Sequence, residues 1–66
     1  MGVTVTDYIN RTRVDRATAM LAKTSLSVQE IAEQCGFSDA SYFTRIFRKL
    51  NDMTPNEYRI SLKYRS

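Results

Sequence analysis

Residues 27–50 read SVQEIAEQCGFSDASYFTRIFRKL, and they hold two helix starts separated by a single glycine. Ser27 is a capping residue, Glu30 three places later completes a capping box, and Leu26 and Ile31 flank the pair as a hydrophobic staple. The helix that opens there is predicted over Val28 to Cys35, and the next, opened by Ser38, over Asp39 to Leu50. Gly36 between them supplies the left-handed backbone that a short helix C-terminus commonly uses. So tight a join makes the two helices cross steeply, which is the geometry of a helix-turn-helix. Ala32 offers a small side chain at the close approach, and Ile31, Cys35 and Phe37 supply apolar contacts on either side.

The second of these helices divides cleanly when its residues are placed at ~100° intervals. Ala40, Ser41, Thr44, Arg45, Arg48 and Lys49 fill one arc. Tyr42, Phe43, Ile46, Phe47 and Leu50 fill the other, with Tyr42 at the border. The apolar arc is a core face. The polar arc carries short side chains at its N-terminal end and cations toward its C-terminal end, as a helix needs if its start approaches base edges and its cations reach bases or phosphates. Asp39 is assigned to the first turn, where a carboxylate complements the helix macrodipole.

The same start signals recur on both sides of this stretch. Thr4 stands between Val3 and Tyr8 with Asp7 three residues on; Ser38 stands between Phe37 and Tyr42; Thr54 stands between Met53 and Tyr58 with Glu57 three residues on. Pro55 takes the first helical position, where a missing N–H is harmless. These predict a long helix from Val5 to Leu21, with Tyr8, Ile9, Ala17, Met20 and Leu21 as its core stripe, and a last helix from Pro55 to about Leu62. No strand pattern competes. The fold class is all-α, a small bundle of four helices containing a homeodomain-like helix-turn-helix. It divides into an N-terminal remnant and long helix over 1–26, the helix-turn-helix over 27–50 and a C-terminal capping helix and tail over 51–66.

Sixty-six residues make one small domain with no room for a substrate pocket and its supporting shell, so an enzyme is disfavoured. There is no His and one Cys, Cys35, so neither an internal disulfide nor a zinc site is expected, and Cys35 reads as a small buried apolar residue. No cofactor is expected. No apolar run approaches a membrane span, and the start lacks a signal peptide's apolar region, which points to the cytoplasm. Met1-Gly2 matches a loose myristoylation pattern but reads better as a cloning remnant. The net charge of +3 is uneven: residues 1–39 hold four basic and five acidic side chains, residues 40–66 six and two, together the ten and seven of the whole chain. A polyanion would be drawn to the C-terminal half. Arg13 and Arg59 stand near apolar neighbours and are expected to pack or to pair with acids across helices, with DNA contact as the alternative.

The run from Leu26-Ser27-Val28 and Glu30-Ile31-Ala32 through Cys35-Gly36-Phe37-Ser38-Asp39 and Ser41-Tyr42-Phe43 resembles the second helix-turn-helix of AraC/XylS-type regulators. Arg45, Phe47-Arg48-Lys49, Thr54-Pro55 and Glu57-Tyr58-Arg59 continue the resemblance, and Tyr8-Ile9, Arg13 and Ala17 resemble the family's linker helix. The resemblance implies sequence-specific binding to double-stranded DNA in transcription regulation. It lays the 39–50 helix in the major groove, with Ala40, Ser41, Thr44 and Arg45 at positions that meet bases. On that basis Arg45 would donate to a guanine, Ser41 and Thr44 would make short polar or methyl contacts, and Ala40 would pack on a thymine methyl. Arg48 and Lys49 would hold the phosphate backbone, and the start of the 28–35 helix, with Ser27 and Gln29, would offer donors to a phosphate. The family usually has Gly where this chain has Asp52, a residue that also tolerates a left-handed backbone. Family members carry a first helix-turn-helix upstream, so the fragment is expected to be monomeric and to bind with reduced affinity, a dimer of the longer parent being left open. The alternative is a protein-interaction module docking a polymerase or another regulator.

Overall fold

The computed structural model describes residues 4–64, which form four helices. They are α1 (Val5–Lys23), α2 (Val28–Gln34), α3 (Ala40–Asn51) and α4 (Pro55–Lys63). Val3, Met1-Gly2 and Arg65, invoked above for a staple, a remnant and the charge count, lie outside the described residues.

Each helix begins on a side-chain cap. Thr4 Oγ1 accepts from the Asp7 N–H at 3.0 Å, although Asp7 does not return the bond that a full box requires. Ser27 with Glu30 and Thr54 with Glu57 form both halves of their boxes. Pro55 is buried at the start of α4. The start of α3 differs from the sequence reading. Asp39, not Ser38, is the cap, its Oδ1 accepting the Tyr42 N–H at 2.7 Å, and the helix proper begins at Ala40. Both residue types cap well, and the turn between the helices runs from Cys35 to Asp39.

That turn closes α2 with two bonds: the Gly36 N–H donates to Glu33 O at 3.1 Å and the Phe37 N–H to Ala32 O at 3.0 Å. This is a Schellman motif, and it needs a left-handed residue where Gly36 stands at φ +90°. At the end of α3, Asp52 takes φ 60° and donates its N–H to Arg48 O at 2.8 Å, so the residue in place of the usual glycine makes the turn.

The core gathers Val14, Ala17 and Leu21 of α1, Ile31 and Ala32 of α2, Cys35 and Phe37 of the turn, and Phe43 and Phe47 of α3. Phe37, Phe43, Phe47 and Tyr58 make a continuous row of tilted rings with successive centroids 5.0, 5.7 and 5.8 Å apart, tying the turn to α4 through α3. The stripe on α1 is not the expected one. Asn10, Val14, Ala17 and Leu21 face inward, whereas Tyr8 and Ile9 are 68% and 40% exposed and Met20 is half-buried at the edge. Tyr8, Ile9 and Met20 each lie ~120–140° round the helix from Val14, too far to share its face. On α3, Tyr42 and Leu50 are likewise exposed at the rim, and only Phe43 and Phe47 are fully enclosed.

Of the two roles expected for Arg59 and Arg13, packing or pairing with acids, the structure shows contacts within the protein to carbonyls and to a ring. Arg59 donates to three carbonyls, that of Leu21 in the last turn of α1 and those of Thr24 and Leu26 in the connection to α2. The Arg13 guanidinium lies 6.0 Å from the Phe37 ring centroid, a cation–π contact.

Candidate nucleic-acid interface

α3 owes its orientation to the two rings it buries. With Phe43 and Phe47 inward and the Asp39 cap fixing where the helix starts, the opposite arc faces solvent. Ser41, Arg45, Arg48 and Lys49 are exposed there; Thr44 and Ala40 are half-buried, and Ala40 packs against the core. Six of the eight residues singled out from the sequence thus share one side of α3. Ser27 and Gln29 are exposed at the start of α2 instead.

The hydrogen bonding at Ser27 narrows what that second place offers. Its hydroxyl accepts the Glu30 N–H and its own N–H donates to the Glu30 carboxylate, both at 3.1 Å. The first-turn N–H groups of Val28 and Gln29 are the ones outside the box, while the Glu30 carboxylate sets a negative charge beside them.

The cations are unevenly distributed along α3. Arg45 stands in the middle of the exposed arc, with Arg48 and Lys49 one turn later, where they also complement the C-terminal end of the helix dipole. Glu57, at the start of α4, is held below the ordinary carboxylate range, chiefly because its carboxylate accepts the Thr54 backbone N–H at 2.9 Å, with the Thr54 hydroxyl beside it and a smaller electrostatic pull from Arg48 adding to the effect. Burial pushes the Cys35 thiol up, against a weaker opposing pull from Arg16. Among the described residues no cluster of three His, Cys, Asp or Glu side chains is placed to hold a metal, and no helix is long and apolar enough to cross a membrane.

One contact at the rim was not anticipated. Asn10, the buried polar residue of α1, donates from Nδ2 to the Tyr42 hydroxyl at 3.2 Å. The available signal was a polar residue one turn before Val14, on the inward line of α1.

Residues 1–61 match the family model described as a helix-turn-helix domain. The chain is 45% identical over 53 residues to the uncharacterized HTH-type transcriptional regulator YijO of Escherichia coli K12, covering 80% of this chain and 19% of that protein. It is 44% identical over 57 residues to the HTH-type transcriptional activator RhaR of Mannheimia succiniciproducens, covering 86% and 21%. It therefore spans about a fifth of the length of these curated relatives. Among solved structures, the C-terminal domain of the two-component response regulator yesN from Fusobacterium nucleatum superposes with a TM-score of 0.83 at 41% identity, over 89% of this chain and 57% of that one. The DNA-binding domain of AdpA, solved in complex with a target DNA, superposes at 0.92 with 28% identity, over 98% of this chain and 59% of that one.

Proposed function

Since this chain belongs to the AraC/XylS-type helix-turn-helix family, we propose that it binds double-stranded DNA sequence-specifically, as one reading head of a transcription regulator. The observation that carries this reading is the solvent-facing arc of α3, where Arg45 stands exposed between short side chains and two further cations, clear of the protein's own core. The fit to a domain solved on its target DNA adds to it.

α3 enters the major groove. Ser41, Thr44 and Arg45 read base edges, Arg45 as a two-pronged donor to a guanine, and Ala40 meets a thymine methyl with the part of its side chain that the core leaves open. Arg48 and Lys49 hold phosphates and contribute most of the salt-dependent affinity. At the start of α2 the phosphate donors are the Val28 and Gln29 N–H groups and the Gln29 side chain, while Ser27 acts by holding the helix start in shape. α1 links this head to what precedes it in a longer regulator, residues 27–50 are the reading unit, and α4 with its tail closes the body.

A chemical-shift titration tests the proposal: the chain is mixed first with a random DNA duplex and then with one selected for binding. Shifts concentrated on residues 40, 41, 44, 45, 48 and 49, larger with the selected duplex, are expected; shifts confined to α1 would refute it. The exposed Val5, Tyr8 and Ile9 favour a second reading as a protein-docking surface. Salt separates the two, because binding through several cations weakens steeply as salt rises whereas apolar docking does not.

A further inference from the structure

Tyr42 belongs neither to the core nor to the set of residues assigned to DNA above. Its backbone N–H is held by the Asp39 cap, its ring lies 6.0 Å from that of Phe37, and its hydroxyl accepts from Asn10, so all three parts of the residue are fixed. The residue as a whole is nevertheless 38% exposed. A phenol both accepts and donates. The Asn10 amide occupies an acceptor lone pair, and among the described residues no protein group takes the hydroxyl proton.

Resting on the DNA-binding reading, we propose that the Tyr42 hydroxyl donates to a backbone phosphate of the bound duplex, and that Asn10 is the positioning residue that aims it. Tyr42 and Lys49 lie ~20° apart round α3 and ~10 Å apart along its axis, so they form one edge of the helix. A cleft beside that edge is walled by Asn10 and Arg11 of α1 and Ile46, Lys49 and Leu50 of α3, with Asp7 at the same place. Arg11 and Lys49 against Asp7 leave the wall of this cleft net positive, Asp39 being engaged at the helix start as the cap of Tyr42, and a sugar–phosphate strand following the groove past Lys49 meets Tyr42 two turns earlier. Asn10 earns its burial among apolar neighbours through this bond. A buried amide without a partner is costly, and swinging the ring away from the phosphate would strip Asn10 of its one side-chain partner.

The test uses the whole chain and a fluorescein-labelled random-sequence DNA duplex at low salt, with affinity followed by anisotropy over a series of salt concentrations. Tyr42→Phe keeps the ring and removes the donor. It is expected to weaken binding about three- to tenfold, the range for one hydrogen bond, with the salt slope unchanged because no charge is lost. Asn10→Ala is expected to weaken binding as much, and the double variant no more than the larger single one. A merely structural Asn10 would lower the melting temperature and leave the affinity of the folded protein alone. An undiminished affinity in Tyr42→Phe, or additive losses in the double variant, would overturn the inference while the wild type still bound DNA. Failure of the wild type to bind would instead remove the DNA-binding reading itself.

Discussion

Arg59 Nη1 donates to the carbonyl oxygen of Leu26 at 2.6 Å, joining the last helix to the residue before the α2 cap. The same guanidinium reaches Leu21 O through Nε at 3.3 Å and Thr24 O through Nη2 at 3.2 Å. One planar fork thus serves the carbonyls of Leu21 and Thr24 at the end of α1 and that of Leu26 in the connection to α2. It also fixes the angle at which α1 delivers the chain to α2. Arg59→Ala is expected to cost about 2–3 kcal/mol, as for charge-assisted hydrogen bonds, and to lower the melting temperature by about 10 °C or more in a domain of this size. Arg59→Lys should recover only part of this, because an ammonium does not reproduce the fork. Thermal unfolding followed by circular dichroism measures both.

Gly36 sits at φ +90°, and a Cβ there would stand 3.3 Å from Arg13 Nε. The backbone effect dominates, since the far end of an arginine shifts at little cost. Gly36→Ala is expected to destabilise by about 1–2 kcal/mol, the left-handed penalty for an ordinary residue. Gly36→Asn should lose less, because Asn tolerates that conformation. Equal denaturation midpoints for the wild type and Gly36→Ala would contradict the role of this turn.

The parts of the fold legible in the sequence are those written locally. Ser27 with Glu30 and Thr54 with Glu57 form boxes between residues three apart, and the two arcs of α3 follow from helical geometry with two buried phenylalanines to set the phase. What depends on a partner element was less legible. Tyr8 and Ile9 are apolar enough for a core stripe, but only the packing of the other helices on Asn10, Val14, Ala17 and Leu21 reveals which line of α1 faces inward. For Arg59 the sequence leaves packing and ion pairing equally open, because it displays acids and hides unpaired carbonyls. At the site, the exposed cations were readable, whereas the Asn10–Tyr42 bond joins positions 32 residues apart that no periodicity connects.

The Thr54–Glu57 box makes the start of α4 sensitive to acid. Glu57 titrates below its ordinary range because its charged form accepts hydrogen bonds from Thr54. A carboxylate with a depressed value in the folded state contributes stability that is present above the unfolded value and lost as pH falls through the folded one. The melting temperature of Glu57→Ala should therefore lie below that of the wild type at neutral pH, and the gap should narrow as the solution is acidified through the carboxylate range. A gap that is constant down to strongly acidic pH would mean that packing, not the charged cap, is what the substitution removes.

Arg45 and Arg48 are both exposed cations one turn apart on α3, yet they are expected to fail in different ways. Arg45 stands mid-arc, where the groove floor would lie, and Arg48 nearer the helix end, within electrostatic reach of Glu57. A guanidinium that reads a guanine loses discrimination when removed: Arg45→Ala should cost about 1–3 kcal/mol on a selected duplex and less on a random one. A guanidinium on a phosphate loses affinity everywhere: Arg48→Gln should weaken both duplexes alike and reduce the salt slope by about one. Measuring both variants on both duplexes across a salt series separates the roles. If Arg45→Ala loses equally on the two duplexes, Arg45 is a phosphate contact and base reading falls to Ser41, Thr44 and Ala40.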